Sequence, residues 1–233
     1  MASSAGSGSA AAREWRRFTP AQRIFHLLLM LCFFNQAATG LARMYIDTDW
    51  GRFLASFFGG YQGALTVHKW ACIFMLLLFA AHVIYLLVKI EWKRFPKSVY
   101  GSDSMLPRLE DIGQALQHVR WMLGSAKAPQ FDRWGYWEKF DFWAVFWGMT
   151  IIGLTGIMMA FPYVSTRYMP GWGLNVAFWV HRIEAILAMG HLFIIHFFIA
   201  HLRRHNFPMD RTIFEGSADL RATQHEKPAW ISR

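Results

Sequence analysis

Four long apolar stretches dominate the chain, from about Ile24 to Met44, Gly63 to Ile90, Phe142 to Phe161 and Leu174 to Leu202. Each reaches the roughly 20 residues that an α-helix needs to cross the hydrocarbon core of a bilayer. A soluble bundle would need a far larger polar shell to cover four such helices. The composition agrees: only 17% of residues are charged, against about a quarter in soluble domains. The expected fold class is all-α integral membrane, a four-transmembrane-helix bundle with helices over about 20–44, 63–92, 141–161 and 174–204.

The charges fall between these stretches and orient them. Basic residues exceed acidic ones by 24 to 15. Arg13, Arg16, Arg17 and Arg23 precede the first apolar stretch, and nine basic residues from Lys89 to Lys139 lie at or between the ends of the second and third. Arg203, Arg204, Arg211, Arg221, Lys227 and Arg233 follow the fourth, while the other two connections hold little beyond Arg52 and Arg167. The positive-inside rule then places both termini in the cytoplasm. Such a distribution is an orientation signal and not a nucleic-acid-binding face.

Residues 1–18 read as a disordered cytoplasmic N-terminus without the features of a signal peptide, and 205–233 as a cytoplasmic tail, around a membrane domain over 19–204. Thr19-Pro20-Ala21-Gln22 has the residues of a helix start. Within the long inner connection, Leu109, Ile112, Leu116, Val119 and Leu123 recur every three or four residues. They predict a short amphipathic helix over about 107–124, lying on the membrane face or packed on a soluble partner.

Histidines carry the chemistry. His26, His68, His82, His181, His191 and His196 all fall in or at the edges of the apolar stretches, where ionisable groups face the protein interior and need partners. From His68 to His82 is 14 residues, about 21 Å of helix, and from His181 to His196 is 15, about 22 Å. At about 100° per residue each pair returns to within roughly 60° of one face. Helices two and four thus each present one imidazole in the outer leaflet and one in the inner. Bis-histidine haem takes one imidazole on each side of the iron from facing helices. Zinc takes tetrahedral sets with cysteine or carboxylate, and neither accompanies these histidines at suitable spacing. Two stacked b haems fit best, without covalent attachment, because Cys-x-x-Cys-His is missing and Cys32 and Cys72 sit in apolar runs.

His68 and His181 would hold the outer haem. The inner one has His196 and either His26, at similar depth from the inner surface, or His82, which is deeper but shares a face with His68. A third haem on His82 is a further possibility. His201 points about 200° from His181 and reads as interfacial or quinone-facing, and His191, some 80° off, as a packing or hydrogen-bonding residue. His118, His205 and His225 read as ordinary polar histidines. Ala38-Thr39-Gly40-Leu41 and Leu154-Thr155-Gly156-Ile157 form a weak internal repeat. Gly40 and Gly156 would either let a flat macrocycle approach the backbone or allow tight helix packing.

This pattern resembles the four-helix dihaem cytochrome b subunits of membrane-bound formate dehydrogenases, nickel–iron hydrogenases and thiosulfate reductases. The likeness runs from Arg23 to the tail and rests on Arg23-Ile24-Phe25-His26, the early His68 of helix two, Ile195-His196-Phe197-Phe198 and His225-Glu226-Lys227-Pro228-Ala229-Trp230. It implies His26, His68, His181 and His196 as the haem ligands. It also implies location in a bacterial or archaeal cytoplasmic membrane. The helix-four spacing is 15 where the family usually has 14, and His82 has no counterpart. An asparagine associated with quinone binding is replaced by the stretch Arg133-Trp134-Gly135-Tyr136-Trp137-Glu138-Lys139. The segment from His196 to Gly216, with Phe207-Pro208-Met209-Asp210, looks closer to members paired with multihaem c cytochromes.

The expected role is that of an electron-transfer subunit of a membrane oxidoreductase complex. It would link an iron–sulfur or multihaem c-type cytochrome subunit to menaquinone or ubiquinone. Arg43 and Arg182 would neutralise haem propionates or contact lipid. Tyr136, Glu138, Lys139 and His201 would bind the quinone or relay its protons. The alternatives are a transporter using histidines as a proton relay and a structural anchor without haem.

Overall fold

A computed structural model describes residues 14–101, 103–202, 207–219, 223–224 and 227–232. Residues 1–13, His205 and His225 lie outside the described residues. The protein is an all-α membrane bundle whose four long apolar helices are α1 (Pro20–Met44), α3 (Gly60–Lys89), α5 (Tyr136–Ala160) and α7 (Trp172–Gly190), the last extended to Leu202 by π-helical turns. Shorter helices fill the connections: α2 (Asp49–Ser56), α4 (Leu109–Met122), α6 (Pro162–Ser165), α8 (Thr212–Glu215) and α9 (Pro228–Ile231). The spans are apolar on every side, and Leu77 (65% exposed), Val88 (75%), Trp147 (68%) and Ile194 (72%) leave the protein surface ready for lipid.

Local chemistry sets the helix ends. The Thr19 hydroxyl accepts from the Gln22 backbone N–H, the Gln22 side chain accepts from the Thr19 backbone N–H at 2.8 Å, and Pro20 opens α1. Gly59 and Gly60, with φ of +80° and +81°, make the turn out of α2, so α3 starts at Gly60 and not at 63. α3 ends at Lys89, short of the expected 92, and α7 starts at Trp172 ahead of the expected 174. α5 starts at Tyr136, five residues before the expected 141, because the Glu138 carboxylate accepts from the Gly135 N–H at 2.7 Å. α2 forms between the first two spans on a Thr48 cap and buries Gly51 and Ala55, the latter against Ala42 and Ala64.

The chain ends meet. Backbone strands β1 (Glu14–Arg16) and β2 (Ser217–Asp219) pair antiparallel, Glu14 opposite Asp219, and the Arg17 and Phe18 N–H groups both donate to the Gly216 carbonyl. Residues 14–18, expected to be disordered, are therefore ordered by the tail. We term this end of the bundle the inner end. α4 turns its polar side to the protein: Asp111 is buried and accepts both hydrogen bonds of Lys139, at 2.8 Å each. Leu109 (86% exposed) and Leu123 (77%) look outward, as the apolar face of an interfacial helix does.

Helix pairing prepares the site. α1 packs mainly on α3, and α5 on α7, giving two hairpins that touch through α3 and α5. Among the described residues the backbones of α1 and α7 scarcely approach, and side-chain rings such as Phe33 and Phe193, 6.5 Å apart, cross the gap.

Candidate haem site

Two imidazole pairs face each other across the hairpins. At the outer end His68 of α3 and His181 of α7 have ring centroids 6.3 Å apart with planes at 69°. At the inner end His26 of α1 and His196 of the π-helical extension are 6.4 Å apart with planes at 34°. An imidazole nitrogen lies about 2 Å from a first-row metal. With the ring radius of about 1.1 Å added on each side, a metal held between two imidazoles would set their centroids roughly 6.2 Å apart. Both pairs match that separation, and among the described residues neither is joined by a histidine–histidine hydrogen bond. The residues present fit two bis-histidine b haems.

Hydrogen bonds fix which nitrogen His68, His181 and His196 leave free. Thr39 donates to the Asn35 carbonyl at 2.7 Å, so its oxygen accepts from His68 Nδ1 at 2.8 Å. Thr155 likewise donates to the Ile151 carbonyl at 2.7 Å and accepts from His181 Nδ1 at 3.0 Å. The Ile152 carbonyl, an acceptor only, is 3.1 Å from the same Nδ1. Each Nδ1 therefore carries the proton, and each Nε2 keeps its lone pair for a metal. His196 Nδ1 lies 3.2 Å from Asp141 Oδ2, which imposes the same tautomer.

The internal repeat now has a physical meaning. Thr39-Gly40 on α1 and Thr155-Gly156 on α5 are used alike, each threonine bonding the histidine that the adjacent glycine makes room for. A Cβ on Gly40 would stand 3.6 Å from His68 Cε1, an ordinary contact, and one on Gly156 would stand 3.3 Å from His181 Cε1, a tight one. Gly40→Ala is therefore expected to leave the outer haem component intact, whereas Gly156→Leu, which drives a side chain into His181, should remove it. Haem content and reduced-minus-oxidised spectra of the two variants check this.

His82 does not face His196. Its ring sits among Phe25 (5.1 Å), Phe142, Phe146 and Tyr85, and its buried Nδ1 has no hydrogen-bond partner among the described residues. Arg43 reaches the Tyr61 hydroxyl at 3.4 Å and lies over the Tyr61 ring. Arg182 lies against the rings of Tyr45 and Trp179. Both cations thus sit at the outer end, against aromatic rings.

Helix geometry changes the placement of His191 and His201. Residues 191–196 and 198–202 are π-helical, with i→i+5 bonding. That register takes up one residue more per turn than α, which accommodates a 15-residue interval between His181 and His196. Five-residue steps now stack, so His201 falls on the side of His196 instead of pointing away, with the Phe197 ring 5.9 Å from His201 and 6.3 Å from His196. His191 is the expected hydrogen-bonding residue, with Nε2 2.9 Å from Asp141 Oδ1. Asp141 corrects the expectation that no carboxylate accompanies the histidines. Its only sequence signal is an acid at the mouth of an apolar stretch.

The four expected quinone residues do not converge. Tyr136 bonds His118 at 3.0 Å within an aromatic cluster containing Phe131 and Trp137. Glu138 pairs with Arg17 and Lys227, and Lys139 with Asp111. Those three residues join α4, α5 and the two chain ends, while His201 stays beside the inner histidine pair.

Comparison with known proteins agrees with this geometry. The chain is 27% identical over 216 residues to the cytochrome b556 subunit of a formate dehydrogenase from Haemophilus influenzae, an alignment covering 92% of this chain and 81% of the relative. Residues 17–214, which contain all four paired histidines, match the prokaryotic cytochrome b561 family. The chain with its two facing histidine pairs belongs to that family of membrane b-type cytochromes.

Proposed function

We propose that this chain is the membrane subunit that carries electrons between a peripheral redox subunit and the quinone pool through two bis-histidine b haems. The observation that carries the reading is the pair of cross-hairpin imidazole separations, 6.3 and 6.4 Å. His68 and His181 would hold the outer haem, and His26 and His196 the inner one. Bound there, the two groups would supply one-electron carriers at two depths of the bilayer. Thr39, Thr155 and Asp141 hold the ligand rings, and the apolar spans exclude water. Arg43 offers an outer counter-charge.

The basic residues around the joined termini support a cytoplasmic inner end in a bacterial or archaeal membrane. A quinone, menaquinone or ubiquinone, would meet the chain beside the inner pair, where His201 Nδ1 is buried without a hydrogen-bond partner among the described residues. The relative's name supports a dehydrogenase complex as the setting, and an iron–sulfur or multihaem c-type subunit would be the electron partner.

The purified protein is expected to give a b-type α band on dithionite reduction and two haems per chain by pyridine haemochrome. One haem per chain would remove the dihaem reading, and no α band would remove the cytochrome function altogether.

A further inference from the structure

The two haem levels differ in what holds their ligands. At the outer level the acceptors on Nδ1 are neutral: the hydroxyls of Thr39 and Thr155 and the carbonyl of Ile152. At the inner level the acceptor on His196 is the carboxylate of Asp141, at 3.2 Å, and the other carboxylate oxygen takes His191 Nε2 at 2.9 Å. A carboxylate within a membrane span is costly and needs partners for both oxygens, and here both are supplied from one helix.

The π-helix makes that clamp. In an α-helix, residues five apart point about 140° from each other and cannot reach one carboxylate. The π-helical segment begins on His191 and ends on His196, and its i→i+5 register brings both rings onto Asp141. The departure from α geometry therefore coincides with a specific contact.

We propose that Asp141 is a positioning residue that lowers the reduction potential of the inner haem through His196, with His191 as the donor that holds and tempers its carboxylate. The proposal rests on the dihaem reading above. A carboxylate on Nδ1–H makes the imidazole a stronger donor to iron. Its charge, in a low-dielectric interior, also favours the ferric state over the ferrous state, which carries one positive charge fewer.

Redox titration of the purified protein, followed at the α bands of the two components, is the test. At the ambient potential that leaves the wild-type inner haem half reduced, Asp141→Asn should give a reduced-to-oxidised ratio of about ten. That corresponds to a rise of about 59 mV for one electron. The outer component should not move, and Asp141→Glu should stay close to wild type. His191→Phe removes the second hydrogen bond and should shift the inner component the opposite way, downward. If Asp141→Asn does not assemble, the sign of the His191→Phe shift decides alone. An inner potential unmoved in Asp141→Asn with both haems bound, a shift confined to the outer component, or an upward or absent shift in His191→Phe overturns the role of Asp141. A wild-type protein with only one titrating component would instead overturn the dihaem reading and this proposal with it.

Discussion

Replacing His26 or His196 by alanine is expected to halve the haem content, from two per chain to one, with loss of the same spectral component in either variant. His82→Ala should keep both haems. The expectation follows from the inner pair, whose ring centroids are 6.4 Å apart, the distance that one iron between two imidazoles requires. Removing either ring leaves iron with one protein ligand at that level, too little to retain a group that is not covalently attached. His82 is held by aromatic neighbours, Phe25 nearest at 5.1 Å, and its replacement by alanine removes ring packing only. The measurement is pyridine haemochrome per chain together with reduced spectra. Loss of the inner component in His82→Ala, with His26→Ala unaffected, would transfer the ligand role to His82. The outer pair should behave in parallel, His68→Ala and His181→Ala losing the other component.

The parts of the fold that depend on hydrophobic length were legible in the chain alone. Apolar runs of the required length became α1, α3, α5 and α7, and the Thr19 cap forms as its residue types dictate. The outer histidine pair was legible for a related reason. His68 and His181 lie in regular α-helix, where counting residues gives both depth and direction. Counting failed where the backbone left that regularity. His191, His196 and His201 lie in or beside π-helical turns, so an angle of 100° per residue misplaced His201 and hid the shared contact on Asp141. Asp141, Thr39 and Thr155 were not assigned as partners because a hydrogen bond across helices leaves no periodic trace. The threonines were visible only as neighbours of the repeated glycines. Glu138 and Lys139 were ambiguous for another reason. A charge beside an apolar run looks the same in sequence whether it faces a quinone or a buried ion partner, and only the folded tail and α4 reveal the latter.

Glu138→Ala should destabilise the inner end by about 3–5 kcal/mol, the usual cost of removing one member of a buried ion cluster. Glu138 accepts from Arg17, Lys227 and the Gly135 N–H, so one carboxylate ties the N-terminal segment, the tail and the first turn of α5 together. The Lys227 side chain is 2% exposed and that of Arg17 10%, which leaves little water to replace the lost partner. Arg17 also stacks against Trp134, and Arg133 lies between Trp134 and Trp230, so loosening the cluster should free the tail tryptophan as well. Glu138→Gln keeps the shape and one acceptor oxygen and should lose less. Among the described residues Glu138 bonds Arg17, Lys227 and Gly135 and none of the four paired histidines, so the haem spectrum at low temperature should survive while thermal stability falls and the tail becomes open to protease. A loss under about 1 kcal/mol would place the pair among exposed ion pairs of little weight. Loss of the inner haem component with unchanged stability would instead return Glu138 to the redox site and overturn its role as the tie between the chain ends.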